Sequence, residues 1–253
     1  MSKLNASERQ AQIVELLSKN EKMKVMELAD HFKVSRETIR RDMNALDKAG
    51  SLKKWFVGNE PVYDFKTQPV DTRITEALES KMKISKKLLE MIPEDTFLYL
   101  DTGSTTLCFA RLLKERSGYT VITNSIPVIN ELIESSNELI ITGGTINPRV
   151  MSAMGSQTIS FLERIKVDVA ILGSSGFDRH EGPSSNTFDD SQIKHVVVKN
   201  AQTNIVIADS RKATYSSLTQ YASWNEIDHL ITDEGISPEA LQKLSEYTNV
   251  IIA

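Results

Sequence analysis

At 253 residues, with 40% apolar and 25% charged side chains, the chain has a globular composition and the length of one large or two ordinary domains. Its apolar runs fall short of the roughly 18 residues a membrane-crossing helix needs, and its N-terminus carries no signal-peptide core. The single cysteine, Cys108, excludes an internal disulfide framework and fits a reducing cytoplasm.

Formal charge is −4 overall, but residues 1–54 carry +4 and the remainder −8. Such asymmetry points to a basic module joined to an acidic one with a different partner. The four histidines, His31, His180, His195 and His229, show no HxxxH or HxxH spacing. No metal site, no cofactor and no membrane association are expected.

In chain order, Ser7 and Gln10 have the spacing of a capping box, and Ile13, Leu16 and Leu17 follow on one helical face. A short helix over Met26–Phe32 buries Leu28, Ala29 and Phe32. After the turn "KVS", Ser35 is a natural N-cap for a helix from Arg36 to Lys48, stopped by Gly50. "LKKWFVG" reads as a basic hairpin carrying Lys53 and Lys54, turning at Gly58 and Asn59, with Trp55 packed on the helices beneath.

At 100° per residue, Ile39, Met43 and Leu46 share the inner face of the third helix. Glu37, Arg40, Arg41 and Asn44 share the outer one. Two guanidinium groups and an amide suit guanine, phosphate and adenine in a major groove, while Ser35 and Thr38 suit backbone phosphates. Glu37 could accept from a cytosine amine or orient Arg41.

The stretch "LSKNEKMKVMELADHFKVSRETIRRDMNALDKAGSLKK" resembles the winged helix-turn-helix of the DeoR family of bacterial transcriptional regulators. The resemblance rests on "ELA", "VSRETIRRD" and "L" followed by "AG". It implies a recognition helix over Ser35–Lys48, with Arg36, Thr38, Arg40 and Arg41 meeting DNA. The family's Gly-Gly wing tip is replaced here by "KKWFVGNEPV".

Residues 59–73, with two prolines and no helical period, read as a linker between a domain at 1–58 and one at 74–253. A helical stripe then runs through Ile74, Leu78, Met82, Ser85, Leu88 and Ile92, ended by Pro93. Beyond it, seven apolar runs ("FLYLD", "TVITN", "LIITGG", "VDVAILG", "NIVIAD", "HLITD", "NVIIA") alternate with helical segments near 105–116, 126–135, 156–165, 187–201 and 237–247. That alternation predicts an α/β domain with a largely parallel sheet, which places a ligand beyond the carboxyl ends of the strands.

The segments following the strands are polar. "DTGSTT" leads into a helix, where Gly103 permits close approach and Ser104, Thr105 and Thr106 add hydroxyls beside free N–H groups, a combination suited to phosphate. "TNS", "TGGT", "GSS" and "ADSRK" end other runs in the same manner. A small anionic ligand is expected. "RHEGPSSNT" (179–187) reads as a mobile loop, Cys108 as a core residue, and His195 as a surface or capping residue.

This half also resembles the DeoR sugar-phosphate-sensing domain, whose fold is that of ribose-5-phosphate isomerase. The motifs are "LDTGSTT", "TNS", "LIITGG", "VDVAILGSSGFD", "DDSQIK" and "VIADSRK". The resemblance implies a phosphorylated-sugar effector held by a loop of Asp101, Gly103, Ser104, Thr105 and Thr106. Asn124, Ser125, Gly143 and Gly144 would line the pocket, with Lys194 and Lys212 as cations. Ser175 stands where the family has a carboxylate ("GADG") and Asp190 where it has a glutamate. A serine cannot move protons between carbons as an isomerase carboxylate would, so binding without catalysis is expected.

The expected whole is a multi-domain chain, a winged helix-turn-helix followed by an α/β sensor. It would act as a homodimeric or homotetrameric cytoplasmic repressor of sugar metabolism on double-stranded operator DNA, with no catalytic residues. The alternatives are a sugar-phosphate enzyme with an appended nucleic-acid module, and an N-terminal module that binds protein only.

Overall fold

A computed structural model describes residues 6, 8–10, 12, 13, 16, 22–48, 52–57, 60–65 and 73–253, with the side chains at 22–24, 44, 47, 48, 52–57 and 60–65 left out. The chain divides into two compact units, Met1–Pro69 and Val70–Ala253.

In the first unit, β1 (Lys22–Lys24) leads into α1 (Val25–Phe32), and α2 (Arg36–Lys48) follows a turn. Lys33 takes a left-handed conformation in that turn, and Val34 N–H donates to the Ala29 carbonyl. Ser35 Oγ accepts from Thr38 N–H at 3.1 Å, so α2 begins on a side-chain cap. Ile13, Leu28, Ile39 and Met43 are fully buried and Val25, Ala29 and Leu46 nearly so. The helical stripe read from sequence is therefore the core of this unit, and each large apolar side chain buried contributes about 1.5–3 kcal/mol. Ser7, Leu17, Gly50, Gly58 and Asn59 lie outside the described residues.

β2 (Leu52–Val57) pairs antiparallel with β3 (Glu60–Phe65), and β1 adds to β3 in the order β1-β3-β2. The register Val57↔Glu60 leaves two residues for the turn. The expected linker over 59–73 is therefore corrected: its first part is a strand. Prolines in this stretch imitate a linker, yet Pro61 is tolerated because β1 pairs with β3 only at Val62–Asp64, leaving Pro61 open on that side.

The second unit is a seven-stranded sheet in the order β14-β13-β11-β9-β4-β5-β6. The strands are β4 (Phe97–Leu100), β5 (Thr120–Thr123), β6 (Glu138–Ile141), β9 (Val167–Gly173), β11 (Ala201–Ile207), β13 (His229–Thr232) and β14 (Asn249–Ile252). All six pairings are parallel.

Alternation along the strands feeds two cores. Leu98, Leu100, Ile205 and Ile207 meet helices α3 (Leu78–Met91), α4 (Ser104–Leu113) and α5 (Ile126–Leu132). Tyr99, Ala170 and Val206 meet α6 (Ser156–Leu162), α7 (Phe188–Asn200) and α8 (Pro238–Ser245). Short hairpins complete the unit: β7 (Thr145–Asn147) with β8 (Ser152–Met154), and β10 (Ser184–Ser185) with β12 (Thr219–Gln220).

Two expectations change here. α3 starts at Leu78 rather than Ile74, because Ala77 is left-handed (φ 48°) and breaks the phase. Its buried face is Lys81, Ile84, Ser85 and Leu88, while Leu78 is exposed. The stretch 179–187 is anchored, not loose. His180 Nε2 pairs with the Ser217 carbonyl at 2.8 Å, and Pro183 and Glu181 carbonyls accept from Tyr221 and Trp224 N–H.

Candidate nucleic-acid face and effector site

On α2, Arg36, Glu37, Arg40 and Arg41 are exposed, as is Ser35 before it, and Thr38 is half-buried. Glu37 lies 3.9 Å from Arg40 and 3.7 Å from Arg41, so in the protein alone it orients both guanidinium groups. These are surface pairs of little energetic weight, and both arginines can exchange Glu37 for phosphate. Asp42, on the inward side, is buried and binds Arg9 Nε at 2.5 Å and Gln10 Nε2 at 3.1 Å. The helix thus divides its charges, Asp42 fastening the N-terminal segment and three arginines, Arg36, Arg40 and Arg41, exposed. The side chains of Asn44, Lys53, Lys54 and Trp55 lie outside the described residues.

In the sensor unit the strand order reverses between β4 and β9: β5 and β6 lie on one side of β4, and β11, β13 and β14 lie beyond β9. Open parallel sheets bind ligands at the carboxyl ends of strands flanking such a reversal. Asp101, directly after β4, accepts from Gly173 N–H at the end of β9 at 2.9 Å. Lys194, from α7, binds Asp101 Oδ2 at 2.9 Å, Asp190 Oδ2 at 3.1 Å and the Gly173 carbonyl at 3.0 Å. Tyr221 adds its hydroxyl to the same carbonyl at 3.0 Å and its ring beneath the ammonium at 5.2 Å.

The structure therefore brings Asp101, Asp190 and Lys194 together. Two carboxylates share one cation, and the second oxygen of each, Oδ1, is buried without a hydrogen-bond partner. Burial raises the Asp101 carboxyl to about 6, against the pull of Lys194 and with the push of Asp190. Burial works against the Lys194 ammonium, but the two carboxylates hold it above its ordinary value.

Gly103 precedes α4 in an extended conformation (φ −179°). Its φ needs no glycine, and a Cβ there would sit 3.2 Å from Thr106 Oγ1, so that this hydroxyl would have to shift by a few tenths of an ångström. Ser104, Thr105 and Thr106 are buried at the head of the helix, where no side chain caps the free N–H groups, the arrangement that favours an anion.

A second charged group stands at the end of β11. Asp209 holds Arg211 bidentately at 2.7 and 3.2 Å, and Arg211 lies 3.9 Å from Glu76. Lys212 is half-buried with its ammonium over the Tyr215 ring at 5.5 Å, and burial pulls its pKa down, with Asp209 opposing. Sequence reading missed two members. Lys81 is 2% exposed, and burial lowers its ammonium to about 8 despite Asp209. Arg73 is lowered by burial and senses Asp190, Glu76 and Asp101. The signal that could have found Lys81 was its place three and four residues before Ile84 and Ser85, a lysine in an apolar stripe.

The remaining residues singled out in the sequence take varied places, with Cys108 and His195 as expected. Asn124 is fully buried and committed to the protein, accepting from Tyr99 OH at 2.9 Å and donating to the Ala153 carbonyl at 3.0 Å. Ser125 caps α5 through Val128 N–H. Gly143 and Gly144 line a cavity of about 410 Å³ with Ser156, Gln157, Ser160, Phe161 and Arg164. Ser175 is tied by its N–H to the Ser184 carbonyl at 2.8 Å. Cys108 is buried, and the exposed His195 pairs through Nδ1 with the Tyr221 carbonyl at 3.1 Å.

Comparison with known proteins agrees with both halves. Residues 9–60 match the DeoR-like helix-turn-helix domain and residues 76–234 the DeoR C terminal sensor domain. The chain is 31% identical over 239 residues, 94% of each chain, to the HTH-type transcriptional regulator GlpR of Haloferax volcanii. It is 26% identical to the glycerol-3-phosphate regulon repressor of Escherichia coli K12, covering 96% of this chain and 97% of that one. Among solved structures it is similar in fold to ribose 5-phosphate isomerase A from Methanocaldococcus jannaschii, with a TM-score of 0.39, 20% identity and 52% of each chain covered.

Proposed function

The chain belongs to the DeoR family of DNA-binding transcriptional regulators, and from that premise we propose that it is a cytoplasmic repressor of sugar metabolism whose hold on operator DNA is changed by a phosphorylated sugar. The face of α2 with Ser35, Arg36, Thr38, Arg40 and Arg41 enters the major groove, and Lys53 and Lys54 bind backbone phosphates from the wing. Paired half-sites require a homodimer or homotetramer, assembled through the sensor unit.

In the sensor unit, the N–H groups and hydroxyls of Ser104–Thr106 and the Lys212 ammonium hold phosphate. Asp101, Asp190 and Lys194 read the hydroxyls of the carbon chain. The single observation that carries this reading is the meeting of Asp101, Gly173 and Lys194 where the strand order reverses. A regulator needs its effector to bind two conformations unequally, and the unpartnered oxygens of Asp101 and Asp190 offer acceptors to a ligand's hydroxyl donors.

The test is a thermal-shift screen of the full chain against phosphorylated sugars and polyols, glycerol 3-phosphate and ribose 5-phosphate among them. A ligand that binds the native state raises the melting temperature. If none of them does, the effector reading fails. DNA affinity that is flat with salt would remove the DNA half.

A second reading, a sugar-phosphate isomerase, draws on Asp101, a carboxyl with a pKa of about 6 as suits a general base. Against it, Asp101 is fully buried with Oδ2 already held by Gly173 N–H and Lys194. Steady turnover of ribose 5-phosphate would favour this reading.

A further inference from the structure

We propose that Tyr215 is the positioning residue for the phosphate end of the effector site, its ring being the platform that holds the Lys212 ammonium ready for a phosphate. This rests on the assignment of Lys212 to phosphate made above and adds to it the residue that aims the cation.

Among the described residues, Lys212 Nζ has no hydrogen bond or ion pair, and its ammonium lies over the Tyr215 ring, 5.5 Å from the centroid. Asp209 and Glu76 favour its charge while Arg73 and Arg211 oppose it, but Asp209 is engaged bidentately by Arg211. Within about 6 Å an aromatic face attracts a cation through its quadrupole. Unlike a carboxylate, it leaves the positive charge whole for an incoming anion. Tyr215 is 36% exposed, and its hydroxyl has no hydrogen bond among the described residues. Neither core packing nor a hydroxyl partner accounts for an aromatic there.

Ring and ammonium are mounted on one short stretch of chain. Phe177 N–H donates to the Lys212 carbonyl and Asp178 N–H to the Tyr215 carbonyl, each at 3.0 Å. Gly176 presses on the Tyr215 main chain, where a Cβ would fall 2.1 Å from the carbonyl oxygen, so glycine is required for the approach. Three residues before Gly176, Gly173 holds Asp101 and Lys194. The phosphate cation and the hydroxyl-reading cluster are therefore set on the same segment, Gly173–Asp178. β9, which ends at Gly173, is the one strand between β4 and β11. The loop after β4 and the turn Ser210–Thr214 after β11 thus lie roughly 10 Å apart, two interstrand spacings. α3 touches both sides of that gap: Ser85 Oγ donates to the Thr105 carbonyl at 3.5 Å, and Lys81, one turn earlier, feels both Lys212 and Cys108 of α4. An ammonium already held in place need not be ordered when phosphate arrives.

The experiment is calorimetric titration of the full chain with inorganic phosphate, glycerol 3-phosphate and ribose 5-phosphate. The unaltered protein is compared with Lys212→Ala, Tyr215→Leu and Tyr215→Phe. Lys212→Ala should lose most of the affinity. Tyr215→Leu should bind about two- to tenfold more weakly, the cost of ordering one long side chain on binding, and Tyr215→Phe, which keeps the ring face, should match the unaltered protein. Tyr215→Phe with its ring fluorinated in steps keeps the shape and drains the negative face, so affinity should fall with each step, a response that a merely structural ring would not give. Tyr215→Leu binding as tightly as the unaltered protein, or Tyr215→Phe as weakly as Tyr215→Leu, overturns the proposal and leaves the sensor reading standing. Full affinity in Lys212→Ala removes the phosphate assignment and the proposal with it. If no probe binds the unaltered protein, the sugar-phosphate reading falls as well. The fluorinated series decides the matter if Tyr215→Leu does not fold.

Discussion

Replacing Asp101 by asparagine should stabilise the sensor unit above neutral pH. Asp101 is fully buried, and its carboxyl rises from 3.8 to about 6, chiefly because burial penalises its charge. A group whose native pKa is raised favours the fold below its unfolded value, and that advantage is lost as pH rises through the native one. The rise of about two units corresponds to about 3 kcal/mol of destabilisation once pH is well above 6, and to none below 3.8. Asparagine approximates the uncharged carboxyl: its carbonyl still accepts from Gly173 N–H and Lys194, and the remaining Lys194–Asp190 pair (3.1 Å) is balanced in charge.

The expected difference between Asp101→Asn and the unaltered protein is therefore up to about 3 kcal/mol in favour of the variant at pH 8, or up to about 10 °C in melting temperature for a unit of this size. It should shrink toward zero near pH 4. The two units need separate probes. Trp224 is buried in the sensor unit against Phe177, 5.2 Å between ring centroids, so urea unfolding followed by tryptophan fluorescence in a Trp55→Phe background reports that unit alone. A variant less stable than its parent at pH 8, by an amount that does not change with pH, would refute the reasoning, because attraction to Lys194 would then outweigh burial.

Four further outcomes are expected. Arg40→Ala with Arg41→Ala should weaken operator binding sharply and lower the salt slope of the remaining affinity by about 0.9 for each phosphate that the protein no longer neutralises, with helix content by circular dichroism unchanged because both side chains are exposed. Lys212→Ala should weaken the response to sugar phosphates in a thermal-shift titration while DNA affinity by anisotropy stays as it was. Gly144→Ala should cost the sensor unit more than about 2 kcal/mol in urea titration, since a Cβ would fall 2.2 Å from Thr158 Oγ1 and φ is 123°. Glu226, lowered to about 2 by the Lys199 hydrogen bond and then by Ser223 N–H, stabilises above its ordinary 4.5 and loses that effect as pH falls through 2. Being partly exposed, it should cost about 1 kcal/mol or less on change to glutamine at pH 7, a gap that a pH series of melts should close in acid.

The fold was legible wherever a periodic apolar pattern coincided with a cap or a stop. Ile39, Met43 and Leu46 behind Ser35 gave α2 its limits, and seven apolar runs separated by helices gave the parallel sheet. Misreadings arose where one residue's backbone overrode pattern. Pro61 disguised β3, and the left-handed Ala77 shifted the phase of α3 by enough to exchange Leu78 for Lys81 on its buried face.

That exchange also explains why the site was only half readable. Glycines, hydroxyls and acids after a strand announce themselves because the motif is local, as Asp101 does in "DTGSTT", whereas Asp190 and Lys194, inside a helix, entered only through the family resemblance. Their mutual geometry depends instead on strand order: β4 (Phe97–Leu100) and β9 (Val167–Gly173), far apart in the chain, become neighbours only when the sheet reverses direction. Lys81 shows only as a lysine inside an apolar stripe, and Arg73 belongs to no motif that the sequence offers. Their surroundings come from other parts of the chain: Asp209 is engaged by Arg211, and the Arg73 carbonyl accepts from the Lys81 ammonium. The meeting of residues from three separate parts of the chain cannot be seen until the fold has placed them, and it is the uncapped head of α4 beside Asp209, Arg211 and Lys212 that makes an anion the ligand to expect.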